Sequence, residues 1–259
     1  MIILKKITIL FLFYLLCGQT ILAQTILIDP GHGGEDKGAK SQPIGVKKYH
    51  IYEKELSLQI SKRIYKKLSK KYKVFLTRSV DRSVSLQERA NIAEKIKADI
   101  FISVHINASP TGKSRGFETY YLDNHKNKAI KKVEAIENRN LKGEAFMVHR
   151  ILTDLVIERT TSTSKKLASS IHGRIAREIS KSYGITNRGI KPGLFYVLAL
   201  TKRPAVLLEA GFITNKKEIK KMRSKNYQER FAKAVAIGVD NYFKKLKRES
   251  GNKKQPVLF

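Results

Sequence analysis

The sequence predicts a single α/β domain in which helices flank a twisted, mixed sheet of about six strands. Short apolar segments alternate along the chain with longer segments whose apolar residues recur at helical spacing. The chain has 259 residues, 42% of them hydrophobic, which is enough to bury one core of ordinary size. No internal repeat or linker is evident, so we expect one domain and not several modules.

Six short apolar segments are predicted to be strands, because each is bounded by turn residues or by a polar segment. The first ends at Pro30, and the last begins directly after Pro204. The six segments are 25–29, 73–77, 99–105, 116–122, 194–198 and 205–209.

Helices are predicted between these strands. Apolar residues at every fourth position from Leu56 to Leu68 give the first helix one apolar face. Ser85 and Glu88 have the spacing of a capping box, which marks the start of the second helix. The predicted helices are 53–71, 85–97, 165–183 and 227–246.

The predicted domain spans 24–247 and carries one large insertion at about 123–166. The insertion is polar and rich in lysine, with helical patches but weak periodicity. Residues 248–259 are predicted to be a flexible tail.

Residues 1–23 are predicted to be a secretory signal peptide. Lys5 and Lys6 precede an apolar run at 7–16, and a polar step then ends at Ala23. The apolar run is shorter than the about 20 residues that a membrane span needs. Cleavage after Ala23 removes Cys17, so the secreted chain has no thiol for a disulfide or a metal.

The charge of the chain restricts its partners. The formal net charge is +30, or +28 once Lys5 and Lys6 are removed with the signal peptide. Such a charge favours nucleic acid, an anionic membrane or an acidic envelope polymer. No RNA-binding aromatic signature or zinc-finger spacing is present, and a signal peptide argues against nucleic acid. A non-catalytic basic module that binds an anionic envelope polymer is one alternative for the whole protein.

Polar residues stand where the predicted strands end. His32 follows the first strand by three residues, His105 ends the strand 99–105, and Glu209 ends the strand 205–209. Glu53 opens the first helix. Because ligands collect at the carboxyl ends of strands in α/β sheets, we expect these four side chains to share one edge.

Two imidazoles and two carboxylates indicate hydrolytic metal chemistry. Two histidines, one carboxylate and a water form a catalytic zinc site. The second carboxylate can act as a general base on the water, whose pKa zinc lowers to about 7. Each residue alone also has a structural explanation, although a carboxylate at Glu209 is costly in a buried strand unless it is paired. The set predicts hydrolysis of an amide or an ester.

Five segments in this order resemble the zinc-dependent N-acetylmuramoyl-L-alanine amidases (type 3) of bacterial cell-wall remodelling. The resemblance covers about residues 25 to 245. The segments are IDPGHGGEDKGA (28–39), YEKELSLQI (52–60), LTRSVDRSVSLQERANIA (76–93), ISVHINAS (102–109) and PAVLLEAGFITN (204–215).

This resemblance implies that His32, Glu53 and His105 bind zinc and that Glu209 is the catalytic glutamate. Glu53 is chosen over Glu55 because the family's ligand begins a Glu-Lys pair. The family fold is an α/β sandwich with a mixed six-stranded sheet. The bond cut is the amide between the lactyl group of N-acetylmuramic acid and the L-alanine of the stem peptide.

The insertion stands where the family's division enzymes carry a helix that covers the zinc. A glutamate of that helix occupies the open coordination position until a partner protein pulls the helix away. By position, Glu137 is the candidate and Glu134 the second choice; the alternative is an ordinary charged surface helix. The resemblance thus implies peptidoglycan as substrate, an activator protein as partner, and the periplasm as location.

The sequence contains one match to a serine-hydrolase motif and four further histidines. Ser114 lies in a G-x-S-x-G match, but a nucleophile elbow needs a strand before the serine and a helix after it. A loop is predicted before Ser114 and a strand after it, which disfavours a serine hydrolase. The remaining histidines are expected at the surface, and only the first is close to Glu53 in sequence: His50, His125, His149 and His172.

Overall fold

The structure is a computed structural model that describes residues 23–138 and 144–252. Residues 1–22, which form nearly all of the predicted signal peptide, lie outside the described residues, as do residues 253–259 of the predicted tail. Within the described residues, no helix is both long and apolar enough to cross a membrane.

The predicted six-stranded mixed sheet is confirmed. Its strand order is β2-β1-β3-β6-β4-β5. Strands β4 and β6 are antiparallel, and every other neighbouring pair is parallel. The strands are β1 (Thr25–Pro30), β2 (Lys73–Leu76), β3 (Ile100–Asn107), β4 (Phe117–Leu122), β5 (Asn187–Gly193) and β6 (Ala205–Phe212).

Helices cover both faces of this sheet. The fourth helix continues through a π-helical turn, Ala176–Ser180, and a last α-helical turn, Lys181–Tyr183. The helices are α1 (Glu53–Leu68), α2 (Leu86–Lys95), α3 (Lys128–Glu137), α4 (Glu144–Ile175), α5 (Tyr196–Leu200), α6 (Lys216–Met222) and α7 (Lys225–Asn252).

The core divides into two layers, one on each face of the sheet. Alternate residues of β1 point to opposite faces, with Ile26 and Ile28 in one layer and Leu27 in the other. Helices α1 and α7 and the second half of α4 close the first layer, where α7 packs against both of the others. Helices α2, α3 and α5 contribute to the second layer. A mostly parallel sheet covered on both faces explains why its central strands β1, β3 and β6 are largely apolar.

The prediction of a strand at 194–198 is wrong. Residues 196–200 form helix α5, and the strand lies earlier, at Asn187–Gly193. β5 is an edge strand that pairs only with β4, so it is partly exposed and its sequence lacks an apolar run. Pro192 is tolerated there because an edge strand leaves one row of backbone groups unpaired. The apolar run that suggested a strand is a short helix buried on the sheet, and periodicity cannot separate these two cases.

The predicted insertion consists of α3 and the first part of α4. Helix α4 begins at Glu144, well before the helix predicted at 165–183, so the predicted end of the insertion at 166 falls inside a continuous helix. At the end of the domain, α7 continues to Asn252, past the point where the tail was predicted to begin.

Candidate metal centre

Four side chains converge at the carboxyl edge of the sheet. His32 follows β1, His105 belongs to β3, Glu53 is the first residue of α1, and Glu137 is the last residue of α3. One potential ligand atom from each residue lies within 4.8 Å of those from the other three. From the sequence, we expect His32, Glu53 and His105 to meet here, and Glu137 is a candidate to cover them, with an ordinary charged surface helix as the alternative. The structure therefore contains a His/Glu cluster that could hold a metal ion.

The turn that carries His32 is tightly constrained. His32 has a φ of 59°, a left-handed conformation. Its Nδ1 lies 2.9 Å from Asp36 Oδ2, and its carbonyl oxygen accepts a hydrogen bond of 3.0 Å from Arg89. The preceding residue must be Gly31, because a Cβ there would lie 2.5 Å from the ring of His105. These contacts leave Nε2 of His32 directed at the cluster.

Backbone amides orient Glu53. Its Oε2 accepts a hydrogen bond of 2.9 Å from Ala39 N, and its Oε1 accepts one of 2.9 Å from Ile106 N. Oε2 lies 3.1 Å from His32 Nε2, and Oε1 lies 3.1 Å from His105 Nδ1. Because both oxygens are held, the carboxylate has one orientation between the two imidazoles.

Glu137 completes the cluster from the other side. Its Oε2 lies 2.9 Å from His105 Nδ1 and 3.5 Å from His32 Nε2. The next residue, Asn138, donates a hydrogen bond of 2.7 Å to Leu194 O and accepts one of 3.0 Å from Tyr196 N. Contacts on the adjacent residue thus fix the end of α3 over the cluster.

Glu134, the second candidate in the insertion, has a different environment. It accepts a hydrogen bond from Leu194 N and pairs with His125 Nε2. It faces the loop between β5 and α5 and is not one of the four clustered residues. Its contacts help to hold α3 in place.

The electrostatics of the cluster favour a cation. Burial alone would lower the pKa of His32, but Glu53, Asp36 and Glu137 outweigh it and raise that pKa to about 9. The same effect of Glu137 and Glu53 raises the pKa of His105 well above its ordinary value. Burial opposes ionisation of Glu53, yet the two histidines hold its pKa well below the usual range. The carboxylates thus create a negative potential at the point where the ligand atoms meet.

The donor atoms also fit a divalent metal. His32 Nε2 and Glu137 Oε2 are buried and, although each lies close to an oppositely charged group of the cluster, neither makes a well-directed hydrogen bond among the described residues. Buried polar atoms usually make such bonds, so two that converge without one fit the donor set of a metal ion. Imidazole nitrogen and carboxylate oxygen are donors that borderline metals accept.

Glu209 lies beside the cluster on β6, where it is in register with His105 of β3. It is 0% exposed, and neither carboxylate oxygen has a hydrogen-bond partner among the described residues. Burial, reinforced by Glu137, raises the pKa of Glu209 well above its ordinary value. The sequence predicts Glu209 at the same edge of the sheet as His105, and the pairing of β3 with β6 places it there.

Sequence reasoning missed the residues that hold the cluster in place. Asp29 accepts hydrogen bonds from Thr77 Oγ1 at 2.6 Å and Ser103 Oγ at 2.8 Å, and it pairs with Arg89. Arg78 donates to the carbonyl oxygens of residues 30 and 31. A carboxylate within an otherwise apolar strand was the signal that could have identified Asp29.

Of the other histidines, the three whose side chains are described, His50, His125 and His172, are not among the clustered residues. His50 Nδ1 lies 2.7 Å from Ser41 O. The expectation that His172 lies at the surface is wrong, since it is buried between Thr119 and Asn187. His172 can be buried because both of its ring nitrogens form hydrogen bonds, one with the hydroxyl of Thr119 and one with the side-chain amide oxygen of Asn187. The side chain of His149 lies outside the described residues.

Comparisons with known proteins identify the family of this chain. A family model described as N-acetylmuramoyl-L-alanine amidase (Amidase_3) matches residues 26–241. The chain is 32% identical to N-acetylmuramoyl-L-alanine amidase LytC of Bacillus subtilis (strain 168) over 225 residues, which are 86% of this chain and 36% of LytC. The chain thus spans about a third of the length of that relative.

Two solved structures are similar in fold. The crystal structure of an N-acetylmuramoyl-L-alanine amidase from Clostridium difficile 630 has a TM-score of 0.64 and 30% identity, covering 86% of this chain and 98% of that one. The CwlD amidase from Clostridioides difficile, solved in complex with the GerS lipoprotein, has a TM-score of 0.64 and 27% identity, covering 85% and 98%. On the extent of the family match, the chain belongs to the N-acetylmuramoyl-L-alanine amidase family.

Proposed function

We propose that this protein hydrolyses the amide between the lactyl group of N-acetylmuramic acid and the L-alanine of the stem peptide in peptidoglycan. The observation that carries the proposal is the meeting of His32, Glu53 and His105 at one buried point beside Glu209, in a chain of the amidase family. We assign the first three residues to a zinc ion and Glu209 to proton transfer.

Zinc suits this donor set of two imidazoles and one carboxylate. When bound, zinc supplies a Lewis acid that polarises the scissile carbonyl and activates water at neutral pH. The surrounding residues hold the ligands in place: Asp36 orients the imidazole of His32, and the amides of Ala39 and Ile106 orient Glu53.

Glu209 is suited to move the proton. Its carboxylate oxygens are unpaired among the described residues, so they are free to accept a proton from the attacking water. Burial raises its pKa, which allows the carboxyl group to hold that proton until the L-alanine nitrogen takes it as the amide breaks. One residue therefore serves as base and then as acid.

Helix α3 keeps the site latent in this proposal. Glu137 would be a fourth ligand beside His32, Glu53 and His105 and would leave no position for water or substrate, whereas a catalytic zinc site keeps one open. Activation then requires α3 to leave the cluster. We propose that a protein partner drives this step, by analogy with the CwlD relative that was solved together with a lipoprotein.

The proposed location is outside the cytoplasm, in the periplasm. The peptidoglycan substrate lies there, and the predicted signal peptide would direct the chain to it. The net charge of +30 supports binding to a polymer whose stem peptides carry carboxylates.

The test is digestion of purified peptidoglycan, followed by mass spectrometry of the soluble products. The protein, its Glu137→Ala variant and a Glu209→Gln control are compared with zinc bound at one ion per chain. Free stem peptides that begin with L-alanine, absent with Glu209→Gln, are the expected result. If the zinc-loaded Glu137→Ala variant releases no such peptides, the proposed function is wrong.

A further inference from the structure

A strongly basic cleft, which we call the basic cleft, opens beside the metal cluster. It has a volume of about 740 Å³ and lies between α3, the loop after β3 and the outer strands β4 and β5. Four cationic side chains line it, whereas Glu118 is the single carboxylate among its described lining residues. The cations are Lys128, Lys132, Arg188 and Lys191.

The carboxylate in this cleft is already satisfied. Glu118 is 2% exposed, and its Oε1 accepts from Arg188 Nε and from Lys191 Nζ, the latter at 3.0 Å. Its Oε2 accepts from the hydroxyl of Tyr120. One buried carboxylate therefore fixes two cations and leaves one positive charge uncompensated at the floor of the cleft.

Arg188 has hydrogen-bonding capacity to spare. Only its Nε bonds to Glu118, and no described residue accepts a hydrogen bond from its two terminal nitrogens. The guanidinium carbon lies 5.3 Å from the centre of the Phe212 ring, which holds the plane of the group, and the side chain is 37% exposed. A fixed, accessible guanidinium suits a ligand carboxylate, which it can bind through two parallel hydrogen bonds.

The cleft lies at a defined distance from the proposed reaction. Glu118 of β4 is in register with Glu209 of β6, and β5, which carries Arg188 and Lys191, is the next strand outward. The guanidinium of Arg188 lies against Phe212 of β6, three residues beyond Glu209, and a strand advances about 3.3 Å per residue, so the charge lies about 10 Å along that strand from Glu209. An extended peptide advances about 3.5 Å per residue. Groups carried by the second residue, counted from the cut amide, therefore reach that distance.

We propose that Arg188, assisted by Lys191, binds the free carboxylate carried by the second residue of the stem peptide. The inference rests on the proposed function, because it takes the first residue to be the L-alanine next to the cut amide. It assigns the cleft to the peptide side of the substrate and makes Arg188 a determinant of specificity.

The same cleft is roofed by the helix that carries Glu137. Ile130, Val133 and Ile136 of α3 line it, on the same helix as Lys128 and Lys132, whereas Arg188 and Lys191 belong to β5. Helix α3 in this position therefore narrows the path of the peptide as well as closing the metal cluster.

The test uses two synthetic muramoyl peptides that differ only at the second residue, which carries either a free carboxylate or a carboxamide. Hydrolysis is measured in the zinc-loaded Glu137→Ala background, alone and combined with Arg188→Gln. We expect the carboxylate substrate to be preferred about tenfold in kcat/KM, and the preference to disappear in Arg188→Gln. Arg230→Gln, an exposed arginine away from the cleft, is the control that should keep the preference.

A loss of folding would lower the rates for both substrates by the same factor and would leave the ratio of their kcat/KM values unchanged. Arg188→Lys, which keeps the charge but loses the planar fork, should restore part of the preference. Equal cleavage of both substrates without the Arg188 substitution would overturn the proposal.

Binding separates this inference from the proposed function. The peptide product with either a carboxylate or a carboxamide is titrated calorimetrically into the same variants. Tighter binding of the carboxylate form that is lost in Arg188→Gln supports the subsite even if neither muramoyl peptide is cleaved, an outcome that would reject only the hydrolytic activity. Equal binding of the two forms would reject the subsite.

Discussion

Glu137 Oε2 lies 2.9 Å from His105 Nδ1, although Glu137 belongs to the segment that interrupts the domain and His105 to its central sheet. The contact brings a second carboxylate to the point where Glu53 already meets both histidines. If all four residues bound a metal, the site would resemble a closed structural one, whereas the proposed hydrolysis needs one position free. In the proposed function, the position of α3 therefore controls access to this centre.

Replacing Glu137 should activate the protein. We expect Glu137→Ala to raise the rate of peptidoglycan hydrolysis by about tenfold or more, since the fourth ligand and its hold on α3 are lost together. Dye release from labelled peptidoglycan measures the rate, and elemental analysis confirms that zinc is still bound. Glu158→Ala, an exposed glutamate on α4, is the matched control and should leave the rate unchanged. An unchanged rate in zinc-loaded Glu137→Ala would contradict a blocking role.

Loosening α3 without touching the metal should have a smaller effect in the same direction. Asn138→Ala removes two hydrogen bonds to the backbone of residues 194 and 196, which together contribute about 1–2 kcal/mol. We expect faster amide hydrogen exchange in α3 and a basal rate between those of the unsubstituted protein and Glu137→Ala. Asn91→Ala, whose partner is Gln87 on the surface of α2, should change neither quantity. Unchanged exchange in α3 would show that these two bonds do not hold the helix.

Removing the metal should destabilise the fold. A ligand at about a thousand times its Kd adds about 4 kcal/mol to the unfolding free energy, because it binds only the folded chain. We expect a chelator to lower the Tm of the zinc-loaded protein, and zinc to restore it. Glu53→Gln lacks one proposed ligand charge at nearly constant volume, so its Tm should respond much less to either treatment. A Tm that is independent of chelator would argue against a metal at this cluster.

Asp29→Asn should destabilise the protein strongly. Asp29 is 1% exposed and pairs with the buried Arg89, which also bonds to the carbonyl oxygen of His32. The substitution leaves Arg89 without its counter-charge, a change that costs about 3–5 kcal/mol. Urea unfolding measures the loss, with the exposed Asp154→Asn as the control. A difference of less than about 1 kcal/mol would mean that water or other groups compensate for Arg89.

The ion pair of Asp29 and Arg89 also predicts how the unfolding free energy depends on pH. Burial opposes ionisation of Asp29, but Arg89, Thr77 and Ser103 outweigh it and lower the pKa of Asp29 below its ordinary value. A pKa that is lower in the folded state adds stability above the unfolded pKa of about 4, and this stability is lost as the pH falls through the folded value. Below about pH 4, the unfolding free energy should therefore fall more steeply in the unsubstituted protein than in Asp29→Asn. Parallel curves for the two proteins would contradict the assigned pKa shift.

The hydropathy pattern of the sequence predicted most strands of the sheet but missed the edge strand β5. Central strands are buried on both faces, so β1, β3 and β6 appear in the sequence as largely apolar runs. β5 is half exposed and carries Arg188 and Lys191, so it lacks that signal, and the apolar run beside it is helix α5. Arg188 and Lys191 of β5, the strand that the pattern missed, line the basic cleft.

The amino-acid order alone established the alternating architecture, the polar residues at the strand ends and the resemblance to a family, because these depend on local periodicity and short motifs. Only the tertiary structure placed the carboxylate of Glu137, and not that of Glu134, against His105, because the path of α3 depends on distant contacts with residues 194 and 196. It likewise decided that Arg188 keeps free donors, since Glu118 reaches it only when β4 and β5 pair side by side. Contacts between residues far apart in sequence arise from the packing of the whole chain, so local sequence patterns do not predict them.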